Sequence, residues 1–425
     1  MTLLIKNGYI LDPSTGTEGS YDLLIEDGII RELRAGIDKT ADQVIEANGL
    51  YVMPGFIDLH VHLREPGYEY KETIATGALA AARGGYTTIC PMPNTNPVTD
   101  SRQMIETILT KAKTEAVVHI LPIGAVTIGQ SGQELADIKA MAEVGAVAVS
   151  EDGKSVMNTA LYQRGMIEAK EAGIPVFAHC EDKELVGKGV LNEGVKSREF
   201  NMPGISNAVE DIIAARDILL AKNTGVKLHL CHCSTRDSVT FIDMAKKDGL
   251  PVTGEVCPHH FTMADEEITG DDANYKMNPP LRSREDIMAL KEGLKNNIMD
   301  VIATDHAPHS AEEKAKSIKE APFGIVGLET AFALTMTELV EQGYLTPMQM
   351  VEKMSLNPAK VLGIDKGSLE VGKAADVVIA DPNEKYKIDV NEFASKGKNT
   401  PFQGKEVVGR VKVTIVDGKI VFQDN

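Results

Sequence analysis

Between residues 54 and 366 the chain alternates apolar runs of strand length with amphipathic stretches, and this alternation limits the fold more than any other feature. Eight runs qualify: GFIDLHVH, YTTICPMPN, VVHILPIGAV, AVAVSED, IPVFAHCED, VKLHLCHC, PVTGEVCPHH and DVIATDHAPH. Near-continuous apolar runs are what parallel strands covered on both faces look like, and parallel neighbours need a long crossover, usually a helix. NAVEDIIAARDILLAKNTG reads as one such crossover. In it Val209, Ile212, Ile213 and Leu219 keep helical spacing, and Gly225 follows as a C-cap. Eight strands with intervening helices predict a (β/α)₈ TIM-type barrel over residues 54–366.

The two ends have a different texture. TLLIKNGYILD, YDLLIEDGIIREL, ADVVIADP and VKVTIVDGKIVFQD are short β-branched runs broken by Asn-Gly or Asp-Gly, which are hairpin signals. Residues 1–53 and 367–425 are therefore expected to form one discontinuous β-sandwich domain, with the barrel inserted between its halves. A length of 425 residues suits a barrel of about 250 residues plus a smaller unit.

Composition removes several partners. Lys plus Arg number 44 against 62 Asp plus Glu, a formal charge of −18 with no basic run to neutralise successive phosphates, so nucleic acid is not expected. No apolar run reaches the roughly 18 residues of a membrane span, and MTLLIKNGYILDPS lacks the parts of a secretory signal. The five cysteines are odd in number and scattered through apolar runs, which favours reduced buried thiols over a disulfide framework. A cytoplasmic enzyme of a small-molecule substrate fits these traits.

In such a barrel the loops after the strands build the active site. Here the polar residues fall at those ends: His60, His62 and Arg64 after the first strand, Asn94 after the second and Asp152 after the fourth. His179 follows the fifth, His232 the sixth, and Asp305 and His309 the eighth. Side chains at i and i+2 of a strand share a face, so His60, His62 and Arg64 are expected at the barrel mouth, with Ile57, Leu59, Val61 and Leu63 packing outward. Imidazoles and carboxylates converging at one mouth suit Zn²⁺ or a similar borderline cation. By the same alternation Cys231 and Cys233 should face away from His232 and pack on a helix. His119 and His229 read as core histidines, and His259 and His260 are left outside the ligand set.

The chain resembles the amidohydrolase superfamily, and within it the class I bacterial dihydroorotases, nearly end to end. The motifs that carry this are GFIDLHVHLREPG, PMPNTNP, AVSEDG, FAHCED, HLCHCST, MNPPLR, IATDHAPH, APFG and GSLEVGKAADVVIAD. The resemblance implies interconversion of N-carbamoyl-L-aspartate and L-dihydroorotate in pyrimidine synthesis, with one or two Zn²⁺ per chain. It implies that His60, His62, Asp152, His179, His232 and Asp305 are metal ligands and that Asp305 is also the catalytic acid and base. Substrate would be bound by His62, Arg64, Asn94, Asn278 and His309, and by the backbone of Phe323 and Gly324. It leaves open a homodimer and an association with aspartate transcarbamoylase.

Many relatives carry a carboxylated lysine at the end of the fourth strand, whereas AVSEDGKSV offers Glu151 and Asp152. The bridge between metals, and hence their number, is left open at this point. Lys154 reads as a solvated loop lysine and Glu151 as a solvated neighbour. SAEEKAKSIKEAPFG reads as a charged surface loop whose APFG end contacts the mouth. Two other functions compete: a different cyclic amide hydrolase, such as a hydantoinase or allantoinase, and a non-catalytic scaffold, which should have lost ligands that this chain keeps.

Overall fold

A computed structural model describes residues 1–424 and contains the barrel. Its parallel strands are Phe56–Val61, Tyr86–Pro91, a third in two pieces (His119–Ile120 and Ile123–Ala125), Ala148–Ser150, Val176–Ala178, Leu228–Leu230, Val252–Val256 and Val301–Ile302. The third strand breaks at Pro122, which has no N–H for the ladder. Leu121 still donates to Ile89 on one side, and the Pro122 carbonyl accepts from Val147 on the other. The ring closes where Val61 bridges His306 and the His62 N–H reaches the His306 carbonyl at 2.8 Å.

Ile57, Cys90, Ile123, Ala148, Phe177, Cys231 and Val301, one from each of seven strands, form a single buried cluster. Side chains from so many strands meet only inside the ring. Ile57 and Leu59 therefore point inward, not outward as expected, while Val61 and Leu63 pack with the helices. A bulge causes the reversal. Asp58 accepts the N–H groups of His60 (3.0 Å) and Thr304 (3.2 Å), and the register of the first two strands shifts between Asp58 and Val61. Leu59 and His60 then share the inner side of the strand.

The sixth strand departs from alternation in a similar way. His232 has φ 33°, so Cys231 and His232 both lie on the barrel interior and only Cys233 packs towards the helices. All five cysteines are free and buried. The helix Ala208–Thr224 forms as expected and Gly225 caps it at φ 71°. Its core face is Val209, Ile213, Ala214, Ile218 and Ala221, leaving Ile212 52% and Leu219 65% exposed. Among the described residues no helix is long and apolar enough to cross a membrane.

The chain ends meet in one eight-stranded sheet. Tyr51–Pro54 from the first half pairs antiparallel with Val377–Lys387 from the second, placing Val52 opposite Ile379. Leu3, Ile25 and Val52 share a core with Val377, Ile379 and Ile415. Asp27-Gly28 and Asp417-Gly418 make the expected hairpin turns, with both residues of each pair at positive φ. Asn7-Gly8 instead lies at a bulge within Thr2–Asp12, where glycine is needed because a side chain at Gly8 would sit 2.4 Å from Val52 Cγ2.

Candidate active site and metal centre

At the carboxyl ends of the strands His60, His62, Asp152, His179, His232 and Asp305 converge, each 6% exposed or less. Arg64, His232 and Asp305 have φ of 62°, 33° and 49°. A non-glycine residue held in that region costs roughly 1–3 kcal/mol, and such strain concentrates at functional sites. It lets the chain turn away from the strand while the side chain stays over the mouth.

Two bonds of about 2.1 Å at a tetrahedral cation place neighbouring donors about 3.4 Å apart. His60 Nε2 lies 3.3 Å from Asp152 Oδ1 and 3.5 Å from Asp305 Oδ1, and His62 Nε2 is 3.1 Å from Asp305 Oδ1 and 3.6 Å from Asp152 Oδ2. On the other side of Asp152, Oδ1 is 3.4 Å from His179 Nδ1 and 3.7 Å from His232 Nε2. The donors thus fall into two sets that share Asp152.

The hydrogen bonds behind these groups fix which nitrogens are free. Glu255, fully buried on the seventh strand, accepts from His60 Nδ1 (2.8 Å), His229 Nε2 (3.0 Å) and the His232 N–H (3.0 Å). Asn94 Nδ2 donates to Asp152 Oδ2 at 3.2 Å, which turns its Oδ1 to accept from His62 Nδ1 at 2.9 Å. With a cation bound, neutral His60 and His62 would direct Nε2 lone pairs at carboxylate oxygens; without one, against its burial, Asp152 and Glu255 push His60 well above the usual imidazole range, and a proton takes the cation's place. Acceptor facing acceptor at such distances is repulsive unless positive charge lies between them. His60 Nε2 and Asp152 Oδ1 are buried with no hydrogen-bond partner, as befits donors meant for a cation, while in the second set His179 Nδ1 meets His232 Nε2 at 2.8 Å.

The titration behaviour states the same demand for positive charge. Burial opposes ionisation at Asp305, yet His62 and His60 hold its carboxyl down at about 2. Asp152 is likewise depressed well below the carboxylate range, against burial, by His60, His179 and His232. Burial would lower His179, but Asp152 and Glu181 push it up to about 10. Two ionised carboxylates in a dry pocket require compensation, either from imidazolium protons or from a bound cation.

A family model described as Dihydro-orotase-like matches residues 49–238, and one described as Amidohydrolase family matches 224–422. The dihydroorotase of Pelotomaculum thermopropionicum is 50% identical over 424 residues, covering 100% of this chain and 99% of that protein. That of Acetivibrio thermocellus is 47% identical over 422 residues, covering 99% of each. The chain belongs to the dihydroorotase family of amidohydrolases. Among solved structures it is similar to the L-hydantoinase (dihydropyrimidinase) of Arthrobacter aurescens, with TM-score 0.88 and 28% identity over 99% of this chain and 96% of that one. The dihydropyrimidinase of Brevibacillus agri gives TM-score 0.87 and 26% identity, over 100% and 95%. The hydantoinases share the architecture, while the much higher identity lies with the dihydroorotases.

The residues expected to bind substrate lie around the same mouth. Arg64 Nε donates to the Pro308 carbonyl at 3.2 Å. His309 Nε2 donates to the Phe323 carbonyl at 2.7 Å, and Lys71 Nζ approaches its Nδ1 at 3.3 Å. Burial, together with Arg64, Lys71 and Lys314, pushes His309 down to about 3, so its ring is neutral. Asn278 donates to Glu181. Both backbone groups of Gly324, expected to contact substrate, are hydrogen-bonded within the protein in this structure. Its N–H reaches the Lys276 carbonyl, and its own carbonyl accepts from Lys314 Nζ (2.9 Å) and Asn399 Nδ2 (3.0 Å). Glycine is required there because φ is +129° and a Cβ would lie 2.7 Å from Ala307 Cβ.

Other expectations are corrected. Glu151 is 2% exposed and accepts the N–H groups of Val126 and Thr127, so it braces a loop and is not a solvated neighbour. Lys154 is exposed, as expected. The charged loop after the eighth strand is solvated on one side only: Lys314 is buried and donates to the carbonyls of Lys276, Pro322 and Gly324. His259 and His260 are both buried, and His260 Nε2 donates to the Pro279 carbonyl. Glu255 was missed from sequence. Its signal was a lone carboxylate on the inward parity of PVTGEV, shared with Thr253.

Proposed function

We propose that this chain catalyses the reversible ring opening of L-dihydroorotate to N-carbamoyl-L-aspartate, a step of pyrimidine synthesis, in the cytoplasm and with Zn²⁺ held at the barrel mouth. The observation that carries the metal reading is the convergence of His60 Nε2 and His62 Nε2 on the Asp152 and Asp305 carboxylates at 3.1–3.6 Å, the spacing of donors around one cation. His60, His62, Asp152 and Asp305 would hold one ion, and Asp152, His179 and His232 a second. When bound, the metal acidifies water and polarises the amide carbonyl.

The remaining work falls to side chains. Asp305 accepts the proton of the attacking water and delivers it to the ring nitrogen as the bond from that nitrogen to the carbonyl carbon breaks. The new carboxylic acid is fully ionised at neutral pH and releases its proton, so ring closure is favoured in acid and ring opening in base. Arg64 supplies a planar fork for the substrate carboxylate. Asn94, Asn278, neutral His309 and the Phe323 N–H orient the rest of the ring. Asn94 also fixes the His62 tautomer, so its removal should affect metal and substrate together.

The test is turnover by the purified, metal-loaded chain on dihydroorotate, hydantoin and allantoin, with metal analysis of the same sample. Preference for hydantoin or allantoin would replace this reading with that of another cyclic amide hydrolase. Absence of turnover at full metal loading would support the scaffold.

A further inference from the structure

We infer that Asn399, on a C-terminal segment packed against the 307–309 turn, is the positioning residue for the substrate-binding loops after the eighth strand. The inference rests on the substrate roles proposed above for Arg64, His309 and Phe323, and extends them to a residue with no place in the reaction itself.

Asn399 is 4% exposed, and its side-chain oxygen and nitrogen are both engaged. Oδ1 accepts the His309 N–H at 3.0 Å. Nδ2 donates to the Ala307 carbonyl at 3.1 Å and to the Gly324 carbonyl at 3.0 Å. Its own backbone carbonyl accepts the Val326 N–H at 2.9 Å. One side chain thus ties the 307–309 turn to the 323–326 segment, and both of its amide hydrogens have a carbonyl to meet. It acts by holding other residues in place.

The backbone beside it makes a second contact with the same turn. A Cβ at Gly397 would lie 2.6 Å from Pro308 Cβ and 2.9 Å from Pro308 Cα, so the segment lies directly on Pro308. The Pro308 carbonyl is the acceptor that holds Arg64 Nε. Arg64 and His309 are therefore braced from behind by Gly397 and Asn399.

The segment is itself fixed to the barrel. The Glu329 carboxylate accepts the N–H groups of Ala394 (2.7 Å) and Ser395 (3.2 Å). Glu72 accepts from Ser395 Oγ and the Lys396 N–H, and approaches His306 Nε2 at 3.4 Å. Asn399 makes no hydrogen bond to any of the six proposed metal ligands. Losing it should disturb substrate placement and leave metal loading alone, a separation that general destabilisation would not produce.

The experiment compares metal-loaded wild type with Asn399→Ala and Gly397→Ala, measuring metal per chain, kcat and KM for dihydroorotate, and dihydroorotate binding by calorimetry. Asn399→Ala should keep wild-type metal content and a kcat within about threefold, while KM and the dissociation constant rise by about tenfold or more. Gly397→Ala should move both constants in the same direction, and it decides the matter by the same criteria if Asn399→Ala fails to fold. A folded variant whose KM stays within about twofold of wild type overturns the inference, as does a parallel fall in metal, kcat and affinity. Wild type that fails to turn over dihydroorotate overturns the functional reading and this inference with it. Active wild type with an unmoved KM in the variant overturns the inference alone.

Discussion

Replacing Glu255 with glutamine should weaken metal binding while leaving the barrel folded, and the structure sets the size of the effect. Glu255 is 0% exposed and accepts from His60 Nδ1, His229 Nε2 and the His232 N–H. Burial alone would raise its carboxyl, but the bonds from His229 and His60 outweigh it and hold the group well below the ordinary range. A glutamine of nearly equal volume can keep its oxygen towards His60 and His232 and turn its NH₂ to His229. His229 can meet that NH₂ by moving its own proton to Nδ1, which then donates to Thr253 Oγ1, 2.8 Å away. Every hydrogen bond survives in this arrangement, and the buried negative charge behind His60 is lost. Carboxylates that accept from the far nitrogen of a metal-binding histidine are worth about 10–100-fold in metal affinity, or about 1.4–2.7 kcal/mol. Competition with a chromogenic chelator, on protein whose circular dichroism matches wild type, measures it. An affinity within about twofold of wild type would refute the claim that Glu255 charges the His60 ligand.

Asp305→Asn should abolish turnover in both directions with the fold intact; retention of more than about a tenth of activity, a barrier change under roughly 1.4 kcal/mol, would contradict its role as proton shuttle. Arg64→Lys keeps the charge and loses the fork, so KM for dihydroorotate should rise more than kcat falls, and an unchanged KM would place the arginine outside the pocket. Asp152→Ala should strip metal whereas exposed Lys154→Ala should not; bicarbonate rescue of an inactive preparation through Lys154 would reverse that assignment. Asp376 joins the flanking sheet to Lys366 and His119, and against burial these partners hold its carboxyl at about 2. With an unfolded value near 3.9, its ionised form contributes about 2–3 kcal/mol at neutral pH, lost as pH falls through about 4 towards about 2. The stability gap between wild type and Asp376→Asn, from urea melts, should therefore shrink by roughly half between pH 7 and pH 3, and a constant gap would count against this account.

The architecture was legible in the sequence because it rests on local periodicity. Strand-length apolar runs with amphipathic stretches between them leave few arrangements besides a parallel barrel, and the Asp-Gly pairs at 27–28 and 417–418, flanked by β-branched runs, mark hairpins. The six proposed ligands were legible for a related reason: each sits where an apolar run ends, and in a barrel those ends share one rim. Strand parity could not be read the same way. The inward turn of Ile57 and Leu59 depends on a bulge that Asp58 makes with Thr304, 246 residues away. The inward turn of both Cys231 and His232 depends on a positive φ that nothing in HLCHCST announces. Glu255 and Asn399 were passed over because their partners lie on other strands and loops, so neither belongs to a motif of its own. Alternation along a strand is a property of adjacent residues, and sequence records it. The bulges, left-handed residues and cross-strand hydrogen bonds that aim each side chain are set by backbone groups distant in the chain, and only the closed barrel brings those groups together.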